Sequence, residues 1–173
     1  MNSSIPVAPR HEALFYEKLE GGKVLCNLCA QRCVIPDGKV GMCWVRRNEG
    51  GRLYTDVYGL AVALHVDPIE KKPLFHMRPG SRILSLATVG CNFRCSFCQN
   101  WQISQRPKGK VAGEITGEDL PPSALVAEAK RLGCRNFAYT YSEPTIFFEY
   151  AYDTCKLATE NNIYNVFVSN GYI

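Results

Sequence analysis

The sequence predicts an α/β protein in which a small cysteine-rich module precedes a set of parallel strands. Three features predict this fold class. Strand-like and helix-like segments alternate from about residue 81 onward, three cysteines follow the first of those strands, and four more cysteines lie upstream among glycines and turn residues. We therefore divide the 173 residues into an N-terminal segment (1–24), a cysteine-rich metal-binding module with connecting strands (25–80) and an α/β core (81–173).

The core reads as strand–helix–strand–helix–strand. The strands are "RILSLATVG", "RNFAYTYSE" and "IYNVFVSNG". One helix is predicted at Ser123–Leu132, with Ser123 as N-cap and Gly133 just after its end, and a second runs from Pro144 to about Asn161. This order implies parallel pairing, and in parallel sheets chemistry gathers at the carboxyl ends of the strands. Those ends carry a cysteine loop, "YSEP" and "SNGY".

The upstream half is less regular. His11–Leu19 has a weak helical pattern, and residues 52–58 and 60–66 resemble strands. The segment "HVDPIEKKPLFHMRPGS" is interrupted by prolines and is expected to be an irregular connection. Three parallel strands would leave one sheet edge bare, so we expect the chain to be a fragment or a truncated form of a longer protein.

Composition indicates a globular protein in a reducing compartment. The net charge of +4 and the absence of long like-charged runs do not indicate nucleic-acid binding, although they do not exclude it. No apolar run approaches the roughly 20 residues of a membrane span, and the N-terminus lacks the apolar stretch of a secretory signal. The expected location is therefore the cytoplasm. There, nine cysteines, an odd number, favour metal ligation over disulfides.

The stretch "VGCNFRCSFCQN" places Cys91, Cys95 and Cys98 within eight residues. Three thiolates at this spacing can hold three corners of an iron–sulfur cube, whose protein ligation is normally four cysteines. One iron would then remain open to an external ligand. A zinc ion with three protein ligands and a water is the alternative, although such sites usually include histidine or carboxylate.

The upstream cysteines Cys26, Cys29, Cys33 and Cys43 form a complete set of four ligands. A structural zinc ion, an auxiliary iron–sulfur cluster that relays electrons, and unmetallated thiols all agree with this spacing. Cys134 and Cys155 stand alone and are expected to be small buried hydrophobic residues.

The three-cysteine loop, with aromatic Phe97 before its last cysteine, resembles the signature of the radical S-adenosylmethionine superfamily. The resemblance implies a [4Fe–4S] cluster on Cys91, Cys95 and Cys98, whose fourth iron is chelated by S-adenosylmethionine. It also implies reductive cleavage of that cofactor to a 5′-deoxyadenosyl radical, with electrons from an external donor such as flavodoxin or ferredoxin.

The same resemblance assigns three further contacts to S-adenosylmethionine. Phe97 would lie against the adenine, and Glu143 of "YSEP" would accept hydrogen bonds from the ammonium group. Ser142 stands where the family pattern has a glycine. Asn170 of "VSNG" would reach the cofactor; its alternative reading is a simple turn residue.

Within the superfamily, the chain most resembles the pyruvate formate-lyase activating-enzyme group and, more narrowly, the radical enzyme of the AmmeMemoRadiSam system. The segments that carry this resemblance are "CNLCAQRC", "VDPIEKKPLFH", "CQNWQISQ" and "YTYSEPT". Members have about six βα units in a partial barrel, so this chain would supply only about the first three strands.

Three functions follow from these features. The enzyme could install a glycyl radical on a partner enzyme, or it could modify another macromolecule or a small molecule. The third function, of a different class, is a non-enzymatic zinc or iron–sulfur module that binds RNA or a partner protein.

Overall fold

The computed structural model describes residues 11–105 and 115–173. Its strands in chain order are β1 His11–Glu12, β2 Tyr16–Lys18, β3 Val24–Cys26, β4 Val34–Ile35, β5 Arg46–Glu49, β6 Arg52–Thr55, β7 Leu60–Ala61, β8 Ala63–Pro68, β9 Arg82–Ala87, β10 Glu118–Asp119, β11 Asn136–Tyr139 and β12 Tyr164–Phe167. Its α-helices are α1 Trp101–Ser104, α2 Pro122–Arg131 and α3 Phe148–Glu160. None of the helices within these residues is long and apolar enough to cross a membrane.

The largest sheet has the strand order β12–β11–β9–β8. Strands β9, β11 and β12 are parallel, as predicted from the alternation of strands and helices. Strand β8 runs antiparallel to β9 along its whole length, from Ala63 opposite Ala87 to Pro68 opposite Arg82. The edge of β9 is therefore covered by a strand from the upstream half of the chain, because the segment between β8 and β9 reverses the chain direction.

Helices α2 and α3 cover one face of this sheet. Their buried side chains meet the strand residues in one apolar core, which includes Leu84, Leu86, Leu125, Val126, Ala129, Phe137, Tyr139, Tyr150, Ala151 and Ala158. Helix α2 begins at Pro122 with Pro121 as its N-cap, so the prediction of Ser123 as N-cap was wrong. Proline suits the first helical turn because the N–H it lacks would have no partner inside the helix. Pro144 opens a 3₁₀ turn that leads into α3.

The opposite face of the sheet is covered by the segment between β8 and β9. Successive side chains of a strand point to opposite faces of the sheet, so Ile83 lies on the face opposite to that of Leu84. Ile83 and Ala138 pack with Ile69, and Leu74 and Met77 pack against them. The segment "HVDPIEKKPLFHMRPGS" is irregular, as predicted, apart from the end of β8 and a 3₁₀ turn at Ile69–Lys71. It is nevertheless packed against the sheet.

A buried ionic cluster joins this connection to the sheet. Asp67 accepts hydrogen bonds from Lys71 Nζ at 2.8 Å, Lys72 Nζ at 3.0 Å, Ser85 Oγ at 2.8 Å and the Tyr141 hydroxyl. The Lys72 ammonium also lies 4.3 Å from the centroid of the Tyr141 ring. Burial alone would raise the pKa of Asp67, but the hydrogen bonds, led by that of Lys71, hold the pKa well below its usual range.

The upstream half forms two small antiparallel sheets, β1–β6–β5 and β2–β3–β4, and its strand β7 pairs with β10 from the downstream half. The two small sheets share a core that includes Ala13, Val24, Ile35 and Leu53.

The helix predicted at His11–Leu19 was wrong, because β1 and β2 lie there instead. The backbone N–H of Ala13 bonds to the carbonyl of Leu53, and Phe15, at φ +56°, turns the chain between the strands. Distant strand partners thus outweigh a weak local preference. The first ten residues of the predicted segment 1–24 lie outside the described part of the chain.

The upstream half contacts the large sheet at Gly90. This residue has φ +95°, and a Cβ built on it would lie 2.7 Å from both the Cys43 carbonyl oxygen and Val45 Cγ1. Real Cβ atoms essentially never approach other heavy atoms so closely. Glycine is therefore required here both by the backbone conformation and by the close approach of the cysteine-rich module.

We expect Gly90→Ala to lower the free energy of unfolding by about 3 kcal/mol, because a left-handed backbone strain adds to an overpacked contact. The matched control is Gly133→Ala, at φ +66°, where an added Cβ meets no described residue within 4 Å; this variant should lose only the free energy of the backbone strain, about 1–2 kcal/mol. Urea unfolding of the two variants provides the comparison. Equal losses would show that the contact with Cys43 and Val45 does not constrain position 90.

We expect Asp67→Asn to lower the free energy of unfolding by about 3 kcal/mol near neutral pH, because it leaves buried Lys72 without its carboxylate. The pKa of Asp67 is lower in the folded than in the unfolded chain. The wild-type advantage is therefore complete above the unfolded value of about 4 and shrinks as pH falls below it. Urea unfolding of the metal-free chain between pH 3 and 7 measures this difference. The exposed ion pair variant Glu128→Gln is the control, and a wild-type advantage that does not change with pH would contradict the assignment.

Candidate cluster and cofactor site

The three-cysteine loop starts directly after β9, at the carboxyl end of the strand. Cys91 and Cys98 are half-buried, and Cys95 is exposed. The backbone N–H of Phe93 donates to Cys91 Sγ at 3.4 Å, and Cys98 Sγ lies 3.2 Å from Ser104 Oγ. Helix α1 follows the loop and supplies that serine. The loop thus presents three thiols with polar groups that can stabilise sulfur ligands.

The thiol of Cys91 does not ionise readily by itself. Burial is the largest cause and raises its pKa, the Phe93 N–H lowers it by less, and the negative charges of Glu143, Cys95 and Cys98 add smaller increases. A cation among the three sulfurs would reverse this balance, because thiolates rather than thiols bind metals. Within residues 11–105 and 115–173, no three His, Cys, Asp or Glu side chains are already gathered in an arrangement that could hold a metal ion. The donor set nevertheless fits the predicted cluster, since all three sulfurs belong to one partly exposed loop.

The three strand ends expected to converge do meet at one rim. Asn100 Nδ2, after the last cysteine, donates to the Tyr141 carbonyl at 2.9 Å, which ties the cysteine loop to "YSEP". Asn170 Nδ2 donates to Asn92 Oδ1 at 2.8 Å, which ties the loop to the segment after β12. Ser142 Oγ donates to the Thr88 carbonyl at 2.8 Å.

Glu143 lies at the centre of this rim and is 2% exposed. Its Oε1 accepts from the Thr145 backbone N–H at 3.0 Å, Thr145 Oγ1 at 2.7 Å and Ser169 Oγ at 2.8 Å. Its Oε2 accepts from the Asn170 backbone N–H at 2.8 Å. The carboxylate therefore caps the turn that precedes α3 and joins the ends of β11 and β12. One acceptor direction of Oε2 has no donor among these contacts.

Two aromatic side chains are open to solvent beside the cysteines. Phe97 is 85% exposed and Trp101 is 59% exposed. Exposed aromatic side chains occur elsewhere in the described residues, for example Phe75 at 62%, so it is the place of these two beside the cysteines that bears on function. Their position agrees with the predicted role of Phe97, which stays a prediction.

Sequence reasoning missed Asn92 and Asp67. Asn92 is buried, and besides Asn170 it contacts Gln31 and Tyr172: its carbonyl accepts from Gln31 Nε2 at 2.9 Å, and its Nδ2 donates to the Tyr172 carbonyl at 3.3 Å. It lies between two cysteines of the loop, where no spacing rule indicates a role. Asp67 belongs to the quoted run "VDPIEKKPLFH", but its partners Ser85 and Tyr141 are distant in sequence.

The four upstream cysteines line one small cavity of about 10 Å³. Asn92 of the three-cysteine loop and Arg46 of β5 line the same cavity. Burial raises the pKa of Cys43 to about 12 and also raises the pKa of Cys33. All four are free thiols that line this one cavity, although the described side chains are not already arranged as metal ligands.

Comparisons with known proteins agree with the loop geometry. A family model described as Radical SAM superfamily matches residues 85–173, about half of the chain. An uncharacterized protein of Methanocaldococcus jannaschii is 49% identical over 162 residues, which are 94% of this chain and 47% of that protein. The chain thus spans about half the length of this relative. No solved structure gives a significant match.

The family match includes Cys91, Cys95 and Cys98, together with all three parallel strands from Ser85 onward. The narrower resemblances, to the pyruvate formate-lyase activating-enzyme group and to the AmmeMemoRadiSam system, stay predictions. The chain belongs to the radical SAM superfamily.

Proposed function

We propose that Cys91, Cys95 and Cys98 hold a [4Fe–4S] cluster and that the protein uses it to cleave S-adenosylmethionine reductively. This proposal rests on the structure of the loop. The loop presents three thiols at the carboxyl end of a parallel strand and is hydrogen-bonded to the segments after β11 and β12. A cluster bound there supplies the electron that breaks the sulfonium and releases a 5′-deoxyadenosyl radical.

The residues around the loop have defined tasks in this function. The Phe93 N–H and the Ser104 hydroxyl contact the sulfurs of Cys91 and Cys98, where they would stabilise thiolate charge. Asn92 and Asn100 hold the two ends of the loop against the neighbouring strand ends. These bonds limit how far the sulfurs can move when the external ligand binds or leaves.

We assign the binding of S-adenosylmethionine to Glu143, Asn170 and Phe97. The free acceptor direction of Glu143 Oε2 suits the ammonium group of the cofactor, which would form a charge-assisted hydrogen bond. The carboxylate also orients Ser169 and Asn170, so it acts on the cofactor site through position as well as charge. The exposed ring of Phe97 offers a flat apolar surface for the adenine.

The finer function is a further part of this proposal. We infer a partial βα barrel whose first three parallel strands are β9, β11 and β12. The favoured activity is activation of a partner enzyme by glycyl radical formation, with flavodoxin or ferredoxin as electron donor. Modification of another macromolecule or of a small molecule is the alternative. A non-enzymatic metal module is disfavoured because the cysteine loop follows a core strand rather than lying in a knuckle.

Electron paramagnetic resonance of the reconstituted, dithionite-reduced protein tests this function. We expect a reduced-cube signal that shifts when S-adenosylmethionine is added, because the cofactor occupies an open iron. Cys98→Ala should abolish the signal. Cys155→Ala, a half-buried thiol on α3, is the control and should keep it. A cube signal that ignores the cofactor, or a cofactor-responsive signal that survives in Cys98→Ala, would refute the assignment of the loop.

Glu143→Gln should weaken the binding of S-adenosylmethionine about 10- to 100-fold, because a charge-assisted hydrogen bond is lost. The cube should remain, since the three cysteines are unchanged. Thr145→Val is the control: it removes one donor to Oε1, and because the Thr145 backbone N–H and Ser169 Oγ still donate to that oxygen, the affinity should change by less than about threefold (~0.6 kcal/mol). Equilibrium binding under anaerobic conditions measures both, and equal affinities for wild type and Glu143→Gln would remove Glu143 from the cofactor site.

A further inference from the structure

We propose that Cys26, Cys29, Cys33 and Cys43 bind a single zinc ion, and that Arg46 is a positioning residue that donates its Nε–H to one of the ligating thiolates. The zinc ion would brace the loop that carries Cys91, Cys95 and Cys98. The site is independent of the proposed radical chemistry, because none of its ligands belongs to that loop.

The size of the cavity favours one ion over a cluster. Its volume of about 10 Å³ is comparable with the space needed by one water molecule. With Zn–S distances of about 2.3 Å, four sulfurs surround one ion within a span of about 4 Å. An eight-atom cube would have to displace the apolar walls formed by Leu28, Ile35 and Ile146. Zinc is the ion that four cysteines most commonly hold in structural sites.

Arg46 supplies a second, independent observation. It is 1% exposed, and its Nη1 donates to both carboxylate oxygens of Glu149 at 2.9 Å. Its Nη2 donates to the Leu14 carbonyl at 2.7 Å. Its Nε is buried and has no hydrogen-bond partner within the described part of the chain, and the residue lines the cavity with the four cysteines. A buried donor without an acceptor is costly, and a thiolate in this cavity would provide the acceptor.

The charged and polar groups around the cavity also favour bound thiolates. Arg46 interacts electrostatically with Cys26 and Cys43. The backbone N–H of Met42 donates to Cys33 Sγ at 3.4 Å, so a second donor already faces a sulfur. Four thiolates around a divalent cation carry a net charge of −2, which favours nearby N–H donors and a guanidinium group. Hydrogen bonds of this kind orient metal ligands in known sites.

The zinc site would stabilise the three-cysteine loop through direct contacts. Gln31, between Cys29 and Cys33, donates to the Asn92 carbonyl at 2.9 Å, and Asn92 itself lines the cavity. On the other side, Arg94 Nη2 donates to the Met42 carbonyl at 3.3 Å. Both segments that would wrap the ion therefore contact the segment from Asn92 to Arg94. Glu149 extends the connection from Arg46 to α3.

Metal analysis and cobalt substitution of the whole chain test the site. We expect one zinc per chain, and expect Co²⁺ to replace it with the intense absorption of tetrahedral thiolate coordination. Cys33→Ser should lose zinc, with at least a 100-fold weaker affinity. In a variant with Cys91, Cys95 and Cys98 all changed to alanine, zinc should remain and iron should be absent. Iron and sulfide retained by that triple variant, or thiols that bind neither metal, would overturn the zinc site.

Arg46→Lys isolates the proposed hydrogen bond. Lysine keeps the positive charge beside Glu149 but has no Nε–H group, so zinc affinity in a competition assay with a chelator should fall about 10-fold or more. Arg47→Lys is the matched control, because Arg47 is next in the chain and pairs with Asp56 at 2.6 Å. Its zinc affinity should stay within about twofold of wild type. Equal affinities for Arg46→Lys and wild type would overturn the role of Arg46.

Discussion

The parallel pairing of β9, β11 and β12 is the constraint on which the rest of the structure depends. It places the segments after the three strands at one rim, where short hydrogen bonds between asparagine and backbone groups can join them. Glu143 completes the rim by linking the ends of β11 and β12. A three-cysteine loop that followed an isolated strand would lack these hydrogen bonds, and its sulfurs would be free to move apart.

The upstream half acts on this rim from two sides. Strand β8 and the segment after it cover the sheet edge and one face, and Asp67 reaches Tyr141, the first residue of "YSEP". The cysteine-rich module contacts the three-cysteine loop at Gly90 and Asn92. The two cysteine sets are therefore neighbours in space although they are separated in sequence. This arrangement explains why a loop with exposed Cys95 and Phe97 can still have a defined course.

Burial has the same effect on thiol ionisation at the two cysteine sets. It raises the pKa of Cys43 and Cys33 upstream and of Cys91 in the loop, so these three thiols favour the neutral form until a cation is bound. Cys26 and Cys43 of the upstream set are buried, which suits the proposed structural ion, whereas the loop has an exposed Cys95 and Phe97, which suits the proposed cofactor site. Closed and open coordination are the usual difference between structural and catalytic metals.

The sequence by itself determined the α/β class, the parallel order of three strands, the two main helices and the superfamily. These depend on local periodicity and on a short motif, which operate within a few residues of chain. Only the tertiary structure decided that β1 and β2 replace a helix, that β8 covers β9, and that Asp67, Asn92 and Arg46 contact the sites. Each depends on a partner distant in sequence, such as Ser85 for Asp67 or Gln31 for Asn92, and local patterns carry no information about such partners.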